Sequence, residues 1–251
     1  MAQSNVLKRL GLVLATVTAL AASNAGAQAP APGRPVTEQA RTEFRAGMAK
    51  SDFGEVLALI RQRFPADYEA FETEMLAKGS TRPEDQDWMR ARTTDFMQSV
   101  DARLKPARAV APDEAVIEMG RRKLALMQAA RPLSPRLCYE YIEAKSPTLA
   151  ALEPVHTALR VQIFALQAAE MRAGLAGEAT PTPRAQPSRD DVLALVQAFT
   201  ARGGDMAWFK SLGTRQPLTA YTDAQRCNSA LAWQAAMVAQ PADRAARLLV
   251  R

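Results

Sequence analysis

The chain has 251 residues, with 32 Lys and Arg against 26 Asp and Glu, two cysteines, one histidine and a formal net charge of +6. A single histidine, His156, excludes a zinc site of several histidines, an H-E-x-x-H protease and a C-x-x-C-H haem attachment, and it leaves no convincing Ser-His-Asp triad. Arginines interleave with Asp and Glu instead of forming a basic stripe with aromatic platforms, so no nucleic-acid partner is expected.

The first 27 residues read as a secretory signal peptide. Lys8 and Arg9 form a short basic region, Leu10 to Ala22 an uncharged apolar core, and Ala25-Gly26-Ala27 offers small residues for cleavage after Ala27. An apolar core of about thirteen residues is short of the roughly twenty that span a bilayer. No cysteine follows to carry a lipid, and no transmembrane segment is expected after cleavage. Removing residues 1–27 takes away two positive charges, leaving +6 − 2 = +4. The protein is therefore expected to be exported: periplasmic in a two-membrane bacterium, otherwise secreted.

Residues 28–36, rich in Ala, Pro and Gly, are expected to be a disordered tether. From Thr37 onward helix formers dominate and nothing alternates with period two, so no sheet is expected. Asp52 and Glu55 form a capping-box pattern ahead of a helix to Phe64, with Phe53, Leu57, Ile60 and Phe64 on one face. Pro65 opens a helix that carries Tyr68, Phe71 and Met75 and ends near Gly79. A second capping box, Thr81 with Glu84, opens a helix from about Pro83 to Leu104, with Trp88, Phe96, Val100 and Leu104 expected inside.

Residues 105–112, with two prolines, read as a connector. They separate an N-terminal helical unit, 37–104, from a disulfide-stapled helical core, 113–251; one continuous domain over 37–251 is the alternative. A helix over Asp113–Ala130 carries Val116, Ile117, Leu124 and Met127. Ser134-Pro135 and Ser146-Pro147 each combine a capping serine with a proline suited to a first helical position. The first starts a short helix around Cys138. The second starts the spine of the fold, about Thr148 to Ala173, with Leu149, Leu152, His156, Leu159, Ile163 and Leu166 in a heptad-like seam that Glu170 breaks.

Three prolines between Leu175 and Pro187 predict a flexible surface loop. Ser188 with Asp191 caps a helix that ends at Gly203-Gly204. A short segment, Asp205 to Leu212, brings in Trp208 and Phe209. Thr222 with Gln225 caps the helix of Cys227, Leu231, Trp233 and Met237, and Pro241 opens a last short one. The fold class expected is all-α: an irregular helical bundle of about eight to ten helices with one inter-helix disulfide.

Cys138 and Cys227 lie 89 positions apart and no third cysteine competes, which reads as one structural disulfide and not a redox pair of the C-x-x-C kind. A loop of this size is worth roughly 4–5 kcal/mol in the chain-entropy model. His156, at a core-like position, reads as a boundary residue. The ten methionines are scattered, as core filling requires, and not clustered for copper. No cofactor and no metal is expected.

The densest group of acids and aromatics is Tyr139, Glu140, Tyr141 and Glu143, beside Cys138. A glutamate in an aromatic cleft is the general acid of many glycan-cleaving enzymes, so Glu140 and Glu143 are the candidate catalytic residues. The missing catalytic constellations and the many Arg/Glu-bearing helix faces point instead to a non-enzymatic binding or interaction module of the cell envelope, of adaptor, inhibitor or immunity type, with a protein or an envelope polymer as partner. A glycan-processing hydrolase using Glu140 or Glu143 is the alternative. A homo-oligomeric structural protein, assembled through the N-terminal helices, is a second.

Overall fold

The computed structural model describes residues 36–78, 83–140, 149–214 and 221–250, with the backbone alone at 83, 86, 90, 149–157, 213 and 214. Among the described residues the chain is all-helical, with no strand, and forms eleven helices. In order these are α1 (Glu38–Ala49), α2 (Gly54–Arg63), α3 (Pro65–Lys78), α4 (Pro83–Arg108), α5 (Asp113–Ala130), α6 (Pro135–Glu140), α7 (Leu149–Ala179), α8 (Arg189–Ala201), α9 (Met206–Thr214), α10 (Asp223–Val238) and α11 (Ala242–Leu249). The count exceeds the expected eight to ten because the stretch after Thr37 forms a helix of its own. Thr37 caps it, its hydroxyl accepting from the Ala40 N–H at 3.2 Å.

Cα packing divides the chain into two units, the described residues up to Arg103 and those from Leu104 on, with the boundary inside α4. In the first unit, Phe53, Val56, Leu57 and Ile60 are buried, as are Tyr68, Phe71 and Met75, and the Phe71 and Phe96 rings stack with centroids 4.3 Å apart. The cap position of α2 falls one residue later than expected, at Phe53 instead of Asp52. Phe53 occupies the cap position with helical dihedrals and no side-chain bond. The turn after α1 is so tight that Gly54 lies against the carbonyls of Met48 and Ala49, where a methyl group would clash. The start of α2 is thus a point of close backbone approach. The expected cap at Thr81 falls outside the described residues.

Glu72 is wholly buried in this unit, yet it is charged. Arg45 Nε and Nη2 donate to its two oxygens at 2.6 Å each, and Arg41 Nη1 donates at 2.8 Å. Burial pushes the Glu72 carboxyl up, but the hydrogen bonds from Arg45 and Arg41 outweigh it and hold the group below the ordinary glutamate value.

In the second unit two expected helix ends move outward. α4 continues to Arg108 through Pro106 instead of ending at Leu104. The missing proline N–H falls in the final turns, and the chain then closes with tight bonds from the Ala109, Val110 and Ala111 amides to the carbonyls of residues 106–108. α7 continues to Ala179 instead of about Ala173. Gly174 lies against the Leu104 side chain, and Gly177 so close to the Ala107 carbonyl that a methyl group would overlap it. This glycine face lets α7 run flush along the end of α4.

The proline-rich stretch beyond α7, expected to be a loose loop, is anchored at two points. The Thr182 N–H donates to the Val110 carbonyl at 2.6 Å. Arg184 donates to Asp113 Oδ1 from Nη2 at 2.7 Å and from Nε at 3.0 Å, and to the carbonyls of Ala109 and Ala111. α5 packs most extensively on α7, and α10 on α6. Ala111, Val116, Ala173 and Ala246 are fully buried together, where small side chains bring the helices close.

Both capping boxes expected in this unit are present, Ser188 with Asp191 and Thr222 with Gln225. Asp191 also accepts from Arg247 through both oxygens at 3.0 Å and from Arg244 at 2.9 Å, which fastens the start of α8 to α11. The Arg247 bond, then the Ser188 N–H, hold the Asp191 carboxyl far below its ordinary value against the opposing effect of burial. α8 ends as expected at Gly203, whose φ of +77° suits a residue without a side chain.

Candidate functional site

Cys138 and Cys227 form the disulfide, with Cα atoms 5.4 Å apart, and it ties the six-residue α6 to the first turns of α10. Both cysteines are completely buried. Ser134 Oγ accepts from the Leu137 N–H at 3.3 Å, as the serine–proline start predicts. One residue beyond Cys138, the Tyr139 hydroxyl donates to Asp223 Oδ1 at 2.8 Å and accepts from Arg226 Nη1 at 3.1 Å. The Arg226 guanidinium also lies 3.9 Å from the Tyr139 ring centroid.

Glu140 is 3 % exposed, and its Oε1 accepts from Arg136 Nε at 2.8 Å one helical turn away. A general acid for glycan cleavage acts from an open cleft; Glu140 is buried, with its carboxylate bonded to Arg136. Tyr141 and Glu143 lie outside the described residues, as does the His156 side chain, although α7 carries its backbone. Of the group read from sequence, Tyr139 and Glu140 lie beside the disulfide.

An open cleft lies elsewhere in the same unit. It encloses about 440 Å³ and is lined from six helices: Met119, Gly120 and Lys123 of α5, Leu166 and Glu170 of α7, Leu195 of α8, Phe209 of α9, Trp233, Gln234 and Met237 of α10, and Leu248 and Leu249 of α11. The aromatic wall has a simple origin. Asp205 Oδ1 accepts from the Ala207 and Trp208 N–H groups at 2.6 and 3.3 Å and so starts α9, while Tyr221 donates to Asp205 Oδ2 at 2.8 Å. Trp208 is thereby buried inside and Phe209 turned to the cleft. The Tyr221 hydroxyl lowers the Asp205 pKa, with burial opposing and the two amides assisting. Phe199 backs the wall, 5.8 Å from Trp233 edge-on and 6.1 Å from Phe209, and the Phe209 and Trp233 centroids are 5.1 Å apart.

At the base of the cleft, Gln234 is 1 % exposed. Its Nε2 donates to the Gly120 carbonyl at 2.9 Å, whereas its Oε1 is buried without a partner. Gly120 is the point of closest helix approach there, since a methyl group would press on Leu249 and Val238. Among the described residues no group of three or more His, Cys, Asp or Glu side chains is placed to hold a metal ion. No described helix is long and apolar enough to cross a membrane.

Sequence reasoning missed the cleft because six helices contribute one to four residues each, and no spacing along the chain records their meeting. One signal was present: Glu170, where the apolar seam of α7 breaks, is a cleft residue. Compared with family models, with curated proteins and with solved structures, the chain matches none.

Proposed function

We propose that the chain is an exported, non-catalytic binding protein of the cell envelope that takes a small, mainly apolar ligand in the cleft on α5, α7 and α10. The observation that carries this is a cavity of about 440 Å³ walled by Phe209, Trp233, Met119 and Met237. That volume lies within the range of small-molecule sites, and half-open aromatic and thioether surfaces suit an apolar body. Among the described residues, Lys123 and Glu170 are the charged groups on the wall, and no serine, cysteine or histidine lines it. Binding fits this chemistry better than turnover does. The partner class narrows accordingly from a protein or envelope polymer to a small molecule.

Against the hydrolase alternative stands Glu140, buried beneath Arg136 and absent from the cleft. Against assembly through the N-terminal helices stand Phe53 and Ile60, buried within their own unit, and Phe64, which lies under the guanidinium groups of Arg103 and Arg63 at 4.2 and 5.5 Å. Export is supported by the signal-like residues 1–27 and by a disulfide of the kind that persists in oxidising compartments. The helices are read as one irregular bundle in each unit.

The test is a titration of the mature chain with 8-anilino-1-naphthalenesulfonate followed by calorimetry. Saturable binding at one site, weakened at least tenfold by Trp233→Ala, is expected. Absence of saturable binding, or binding indifferent to Trp233→Ala, overturns the reading.

A further inference from the structure

Methionine takes up an oxygen atom from a peroxide, and its susceptibility follows its exposure. The chain has ten methionines. Among the described residues seven of them are buried, at 7 % exposure or less, and Met237 of the cleft wall is one of these. Two are half-buried, Met119 and Met206. Met119 lines the cleft, whereas Met206, at the start of α9, does not. Exposure and position thus coincide at Met119.

The surroundings of Met119 make its oxidation state count. Besides lining the cleft, it packs against the fully buried cluster of Ala111, Val116, Ala173 and Ala246. A thioether suits such surroundings because it is apolar and flexible. The sulfoxide is polar and chiral, and a polar group set against apolar surface without a partner costs free energy.

We infer that Met119 is an oxidation site that closes the cleft to an apolar ligand. Hydrogen peroxide passes one oxygen atom to the thioether sulfur. A sulfur lone pair forms the S–O bond, the O–O bond breaks, and water leaves. The thioether is oxidised by two electrons and the peroxide reduced by the same two. Ligand and oxygen compete for one wall: a bound ligand covers Met119 and slows its oxidation, and the sulfoxide, once formed, weakens the ligand. Met206, outside the cleft, responds to the oxidant and not to the ligand. The inference rests on the cleft being the binding site.

The test exposes the full mature chain to hydrogen peroxide, with and without saturating 8-anilino-1-naphthalenesulfonate, and follows each methionine by peptide mass spectrometry. Without the probe, Met119 and Met206 are expected to be oxidised about tenfold faster than the fully buried Met127. With the probe, Met119 slows and Met206 does not. Calorimetry on the oxidised chain is expected to show binding about tenfold weaker than before treatment, the scale of an unpaired polar group in an apolar wall. Met206→Leu shows the same loss, whereas Met119→Leu keeps, after peroxide, whatever affinity it had before. Oxidation of Met119 no faster than that of Met127 overturns the inference, with or without a ligand site. Rapid oxidation of Met119 with unchanged affinity also overturns it and leaves the cleft as a binding site. Absence of saturable binding by the untreated chain overturns both. If Met119→Leu fails to fold, the wild type and Met206→Leu decide by themselves.

Discussion

Gln234 reaches from α10 to the Gly120 carbonyl of α5 at 2.9 Å, one buried side chain joining two helices at the base of the cleft. The bond places an amide where packing alone would favour a hydrocarbon, and it leaves the other amide atom, Oε1, buried without a partner. Gln234→Leu removes a hydrogen bond and also an unsatisfied oxygen, and its unfolding free energy should lie within about 1.5 kcal/mol of the wild type. Urea denaturation of the two proteins checks this.

Cys138 and Cys227 hold α6, a helix too short to persist alone, onto α10. The double substitution of both cysteines by alanine should cost about 3–5 kcal/mol in urea denaturation. Mass spectrometry of the mature chain without reductant should find no free thiol.

Gly177 faces the Ala107 carbonyl with no room for a methyl group. Gly177→Ala must push α7 away from the end of α4, and a loss of about 2–3 kcal/mol is expected despite alanine's better helix propensity. Gly47, which has open space around its α-carbon within α1, is the control. Gly47→Ala should stabilise slightly, and a thermal melt of each variant distinguishes the two.

The Asp191 cluster predicts an acid limb. Its carboxyl titrates below the ordinary aspartate value of 3.8 when folded and returns to that value when unfolded. The stability it contributes is therefore complete above the unfolded value and is lost as pH falls below about 3.8 toward the folded one. Glu72, lowered in the same direction, adds to the same limb in the other unit. Asp191→Asn should be less stable than the wild type at neutral pH, and the gap should shrink as the pH is lowered through that window. Denaturant midpoints between pH 7 and 2 measure it.

The elements were legible in the sequence wherever a local rule fixed them. Ser188 with Asp191 and Thr222 with Gln225 are capping boxes in the structure because each involves only a side chain and an amide three residues away. Gly203 ends α8 for a similarly local reason. The rules failed where another segment intervened. Phe53 and not Asp52 stands at the cap of α2, where Gly54 meets the backbone of α1, and Pro106 and the glycines of α7 allowed helices to run past their expected ends. The proline-rich stretch after α7 is held by Arg184, a residue whose partners, Asp113 and two carbonyls, lie more than seventy positions away. The candidate site behaved likewise. Pairing of the two cysteines followed from counting, whereas the cleft is a product of six helices, and the sequence marked only Glu170.

The most direct test of the account follows the indole N–H signals by NMR while 8-anilino-1-naphthalenesulfonate is added to the mature protein. The chain has three tryptophans, of which Trp233 lines the cleft, Trp208 is buried behind it and Trp88 belongs to the other unit. The account predicts a saturable shift of the Trp233 signal, with the Met119 and Met237 methyl signals moving at the same ligand concentrations and Trp88 unmoved. A silent Trp233 signal, with shifts instead at Tyr139 and Glu140, would contradict it and return the search for function to the residues beside the disulfide.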